Sequence, residues 1–172
     1  MDSYKLLPYL GINLLSLVIS IWMVTNSIAD VPVLNTVNFI FHEAGHFMFY
    51  ILGETTMFIM GSGVEILIPF GVTIYFLRNN QPISASISSM WLATAVASVS
   101  VYIADAPLQQ LELWGGGLHD WAYLLGKYSL LDITEEIVLI FKIIWLVIII
   151  FINYACYKQI LRHSSNDRRR FA

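Results

Sequence analysis

Apolar runs of about twenty residues, separated by short polar punctuation, leave this chain few ways to fold. Five of them, at 6–28, 34–52, 56–77, 83–104 and 137–157, each hold close to the ~20 residues that a helix needs to cross a hydrocarbon core ~30 Å thick. Backbone N–H and C=O groups in lipid must be satisfied within the segment, and helices do that. Over the whole chain 58% of residues are hydrophobic and 12% are charged, against roughly 25% charged in soluble domains. The expectation is an all-α polytopic membrane bundle of about five transmembrane helices. The 172 residues leave no room for a second globular domain, so 1–172 reads as one integral membrane domain with a basic tail at 158–172. The first run carries no positive n-region and reads as an uncleaved span, although Ser27-Ile28-Ala29 has the small residues of a cleavage site. One cysteine, Cys156, excludes an intrachain disulfide, and no nucleic-acid signature is present.

Within the second run stands Phe41-His42-Glu43-Ala44-Gly45-His46-Phe47. Helical residues four apart share a face, so His42 and His46 offer two imidazoles to one point, a pattern suited to Zn²⁺. Glu43 lies beside them without needing to ligate. As general base it is placed to take a proton from water attacking a carbonyl. Asn38, one turn earlier, is a candidate hydrogen-bond donor to the same site. Polar residues packed as glue between helices are the plain alternative. Ionisable groups in an apolar span are costly, however, and the setting favours a function.

The short connection Gly53-Glu54-Thr55 predicts an antiparallel hairpin, which places Glu65 opposite Glu43 in depth. The downstream position of Glu65 resembles the third-ligand Glu of gluzincin metallopeptidases. The fourth run is rich in small residues, among them Ala85, Ser86, Ser89, Ala93, Ala97 and Ser100, and is expected to pack closely against the motif helix. Asp105 ends it, as an interfacial residue or a carboxylate supporting the site.

The connection 108–132 is too apolar for a solvated loop. Its Trp114-Gly115-Gly116-Gly117-Leu118-His119-Asp120-Trp121 stretch is expected to be partly re-entrant and to carry His119 or Asp120 toward the metal. An interfacial loop with Trp114, Trp121 and Tyr123 in the aromatic belt is compatible with that. Lys142 is expected to snorkel toward Glu135 and Glu136. Arg162 and Arg168-Arg169-Arg170 place the C-terminus in the cytoplasm, and five spans then place the N-terminus outside. The expected location is the plasma (inner) membrane.

An HExxH motif inside a span resembles the intramembrane metallopeptidases of the site-2 protease type, whose third ligand is an Asp from a later helix. The resemblance implies His42 and His46 as ligands and Glu43 as base. Asn79-Asn80-Gln81-Pro82 is similar to that family's Asn-x-x-Pro. Its later Leu-Asp-Gly block has no counterpart, since Leu131-Asp132 is followed by Ile133, so the third ligand is not carried over. Tyr102-Ile103-Ala104-Asp105-Ala106 and the block 115–121 resemble stretches in small bacterial multi-pass proteins that also carry HEAGH, which favours the His119-Asp120 pair.

The resulting expectation is a zinc-dependent membrane hydrolase. Its ligands would be His42, His46 and His119, with Asp120 or Glu65 as the alternative third ligand. Its substrate would be a transmembrane or juxtamembrane peptide surrounded by membrane lipid. A non-catalytic metal-binding or ion-transporting protein, or a structural membrane subunit, is the alternative.

Overall fold

A computed structural model describes residues 3–112 and 118–170, and Trp114 with its three glycines lies outside them. Among the described residues the chain is helical, without strands: α1 (Ser3–Thr25), α2 (Leu34–Phe49), α3 (Glu54–Arg78), α4 (Pro82–Ala104), α5 (Asp120–Lys127) and α6 (Thr134–Arg170), with 3₁₀ turns at Tyr50–Leu52 and Leu131–Ile133. Four helical segments, Leu6–Thr25, Glu54–Arg78, Pro82–Asp105 and Leu131–Ser164, are long and apolar enough to cross a membrane. The motif helix α2 falls short of them. Its 16 residues span about 24 Å at 1.5 Å per residue. The basic segment expected as a separate tail continues α6 as helix through Arg170.

The hub is α4, packed against α1, α3 and α6, with α2 lying over one edge. Leu92, Val96, Val99 and Ile103 are fully buried there against Val24 of α1 and Ile149 and Ile152 of α6. The small residues of α4 serve α1 and α6 rather than chiefly the motif helix. Asn13 donates to Ser86 Oγ at 2.9 Å, Ser16 donates to the Ser86 carbonyl and meets Ser89 Oγ, and Asn153 donates to Ser89 Oγ at 3.1 Å. In an apolar surround, where tails are as greasy as Leu, such polar ties and close backbones hold helices together.

These pairings fix the direction of each helix. Asn13 and Ser16 of α1 meet Ser86 and Ser89 of α4 in the same order, so α1 runs parallel to α4. Asn13 meets Asn153 while Ser27 accepts from Lys142 at 2.6 Å, so α1 is antiparallel to α6. Both ends of the described chain therefore lie at the end of the bundle that carries the 78–82 turn. The expectation of termini on opposite sides is corrected, and its cause is α2. Asn38 meets Thr94, and the His42 ring meets the Tyr102 ring, so α2 also runs parallel to α4. Two successive helices running the same way require the connection 26–33 to turn back along the bundle. Ser27 (φ 54°) and Val33 (φ 71°) take the left-handed region there, an uncommon conformation for a β-branched residue. Lys142 is drawn to Ser27 instead of snorkelling toward Glu135 and Glu136.

Candidate metal centre

The α2/α3 hairpin brings the motif against α3 at unusually close range. A Cβ on Gly45 would lie 2.0 Å from the Met60 carbonyl oxygen, so only glycine lets the backbones approach this far. Gly61 does the same for the imidazoles. Its Cβ would lie 2.5 Å from His46 Cε1 and 3.0 Å from His42 Nε2. The two rings thus rest on bare α3 backbone, with centroids 4.8 Å apart.

Each imidazole is turned by a partner on its far nitrogen. His46 Nδ1 lies 3.0 Å from the Met57 carbonyl, which can only accept, so Nδ1 carries the proton. His42 Nδ1 lies 3.1 Å from Glu65 Oε2. With both Nδ1 atoms engaged by acceptors, both Nε2 atoms are left for the other side. There they meet one oxygen, Asp120 Oδ2, at 2.9 Å from His42 and 3.1 Å from His46. Three nitrogen and oxygen atoms converging on one point, with His42 and Asp120 buried, need a proton or a metal ion between them to offset the repulsion of their lone pairs. Donors about 2.0–2.1 Å from a common tetrahedral ion stand about 3.3 Å apart, so the observed spacings need to widen by only a few tenths of an ångström. His42, His46 and Asp120 can hold a metal ion.

Asp120 is delivered by α5. Its backbone N–H donates to the Tyr102 hydroxyl at 3.1 Å, and Trp121 Nε1 donates to Ser62 Oγ at 3.0 Å. Tyr123 donates to Glu54 Oε2 at 2.6 Å, and Lys127 Nζ donates to Thr55 Oγ1 at 2.5 Å.

His119, the favoured third ligand from sequence, does not join the cluster. Its Nδ1 accepts the Ala122 N–H at 3.2 Å as the N-cap of α5, and Nε2 faces Asp105 Oδ2 at 3.3 Å. No lone pair is left to give a metal. Burial lowers the His119 pKa, opposed by Asp105. Glu65 also stands behind His42 rather than at the point where the three groups converge, and its carboxylate orients the His42 ring. Asn38 leaves the site altogether, accepting from Trp91 Nε1 at 2.8 Å and donating to Thr94 Oγ1. Glu43 lies on the exposed side of α2, near enough to Tyr102 to act on its phenol electrostatically. Tyr102, whose ring meets both His42 and His119, is the residue that sequence reasoning missed. Its signals in the sequence were its place near the end of an apolar run and in the block 102–106 that resembles stretches of other HEAGH-bearing membrane proteins, and neither gave it a role.

Compared with known proteins, the chain matches no family model, no curated protein and no solved structure.

Proposed function

We propose that this chain is a membrane-embedded zinc-dependent hydrolase that cleaves peptide bonds within or next to the membrane. The observation that carries the reading is the convergence of His42 Nε2, His46 Nε2 and Asp120 Oδ2, with both Nδ1 atoms engaged elsewhere. Two histidines four apart on a helix and an Asp from a later element also agree with the site-2 protease type that the motif resembles. Two imidazoles and one carboxylate are a donor set that zinc accepts, with a further position left for substrate or water. A zinc ion held there would supply Lewis acidity to a carbonyl and ease deprotonation of water.

The residues of the chain do the rest. Glu65 and the Met57 carbonyl keep the imidazoles in one tautomer and orientation. Glu43, next to His42 but outside the donor set, accepts the proton of the attacking water from the exposed side of α2. His46 lies level with Met57, three residues into α3, or about 5 Å from that helix end. A site so near one end of the bundle fits a juxtamembrane peptide. The exposed apolar side chains Phe39, Ile40 and Phe47 flank Glu43 and favour approach from within the lipid.

The test is cleavage of a membrane-anchored reporter peptide in proteoliposomes. Wild type with zinc cleaves; Glu43→Gln keeps its metal and loses at least a hundredfold in rate. Full activity in a metal-loaded Glu43→Gln protein would falsify the role of Glu43. Zinc flux without cleavage, lost on replacing Glu65, would replace the hydrolase with an ion carrier.

A further inference from the structure

Asp120 reaches the two imidazoles only if α5 begins at one place with one orientation, and the groups that fix both lie outside the donor cluster. Asp105, at the end of α4, is itself held rigidly. Its carboxylate accepts the Gln110 N–H at 2.8 Å and the Leu111 N–H at 3.0 Å. Against that fixed carboxylate stands His119 Nε2 at 3.3 Å. Because His119 Nδ1 accepts the Ala122 N–H, its proton is on Nε2, which is buried with no hydrogen-bond partner among the described residues and has the Asp105 carboxylate as its charged neighbour at 3.3 Å. The ring lies over Tyr102, with centroids 4.2 Å apart and planes 31° apart. His119 is buried as fully as Asp120, at 3% exposure each, so neither is free to swing. One residue thus joins three functions: it caps α5, stacks on α4 and sets its Nε2 against the Asp105 carboxylate.

We propose that Asp105, acting through His119, is the positioning device that sets the third metal ligand, so that metal affinity and coordination depend on a carboxylate that does not touch the metal. The inference rests on the metal site proposed above. It assigns His119 and Asp105 to placing Asp120 and not to ligation. Removing either lets the start of α5 rotate, and Asp120 Oδ2 then loses the point where it meets both Nε2 atoms. Supporting residues of this kind are worth about 10- to 100-fold in metal affinity.

The experiment is a cobalt(II) titration of the detergent-purified full chain, read by visible absorption and by bound metal per chain. The proteins are wild type, His46→Ala, Asp105→Ala, Asp105→Asn, His119→Ala and the double variant Asp105→Ala/His119→Ala. His46→Ala loses stoichiometric binding. Asp105→Ala and His119→Ala each still bind one ion, 10- to 100-fold more weakly and with an altered ligand-field spectrum. The double variant is no worse than either single one, because both act through one contact. Asp105→Asn keeps a polar oxygen of the same shape opposite His119 Nε2 and recovers much of the affinity. That recovery separates positioning from a general loss of fold, which thermal melting of each variant also monitors.

Wild-type affinity and spectrum in Asp105→Ala and His119→Ala, with binding lost in His46→Ala, overturns the proposal and leaves the metal site standing. Loss of stoichiometric metal in His119→Ala with Asp105→Ala unaffected also overturns it, by making His119 a ligand. No binding in folded wild type removes the metal site itself.

Discussion

Replacing Gly45 by Ala tests how closely the site depends on the α2/α3 contact. The added Cβ would lie 2.0 Å from the Met60 carbonyl oxygen, 2.7 Å from its carbon and 3.0 Å from Gly61 Cα. Ordinary contact begins near 3.4 Å, so the helices must part by about 1.4 Å along that line, and backbone cannot yield as a side chain would. Overpacking of this kind costs about 1–3 kcal/mol, against about 1 kcal/mol gained in helix propensity. The net is a loss of about 0–2 kcal/mol in stability, a modest effect. The effect on the site is larger. His42 and His46 ride on α2 while α3 supplies the Met57 and Glu65 partners, so a shift above 1 Å breaks the geometry that points both Nε2 atoms at Asp120. Misplacement on that scale costs about a hundredfold in function.

The assay is metal affinity and thermal unfolding of Gly45→Ala in detergent, beside Gly61→Ala and Gly71→Ala. Gly61→Ala presses on the flexible ends of the imidazoles, so it loses metal affinity with little change in melting. Gly71→Ala, with nothing within 4 Å of its Cβ, leaves both unchanged. Unchanged metal affinity in both Gly45→Ala and Gly61→Ala would refute the reasoning.

Glu65→Gln keeps the shape of the side chain but removes the charge facing His42 Nδ1. Metal affinity is expected to fall about 10- to 100-fold, and an unchanged affinity contradicts the orienting role. Asn153→Ala removes donors to Ser89 Oγ and the Ile149 carbonyl and an acceptor for Asn13. It is expected to destabilise the bundle by about 1–2 kcal/mol with little effect on metal binding, as followed by unfolding in mixed micelles. Topology reporters fused at the two ends of the chain are expected to report the same side of the membrane, the cytoplasmic side by the charge of Arg78 and the tail. Signals from opposite sides would contradict the parallel packing of α1 and α4.

The long apolar helices were legible because their length and composition answer directly to the thickness of a bilayer. The two histidines were legible because the 3.6-residue period alone makes them neighbours. Glu65 came within reach by counting from the turn at Glu54, since a tight hairpin fixes depth. The choice between His119 and Asp120 was not legible. Adjacent residues at a helix start point in different directions, and which one faces the two imidazoles depends on contacts distant in sequence, such as Tyr102 with the Asp120 N–H and Ser62 with Trp121.

The direction of α1 was lost for a related reason. The connection 26–33 resembles any short turn between antiparallel neighbours, and its backtracking depends on where Asn38 and Ser27 find partners. Lys5 at the N-terminal end, on the same side as Arg78, carried a faint signal of it. Asn38 illustrates the converse error. Its place one turn before His42 assigned it to the site, whereas a buried amide in lipid goes wherever a donor and an acceptor are closest, here Trp91 and Thr94.

The central claim is that His42, His46 and Asp120 hold one metal ion. Mass-spectrometric metal content of the detergent-purified protein tests it most directly, for wild type, His46→Ala, Asp120→Ala and His119→Ala at saturating zinc. The account predicts one zinc per chain in wild type and in His119→Ala, and loss of stoichiometric zinc in the other two. Folded wild type that takes up no metal when zinc is supplied would contradict it, and would leave two imidazoles and two carboxylates as a buried ion-pair cluster between helices.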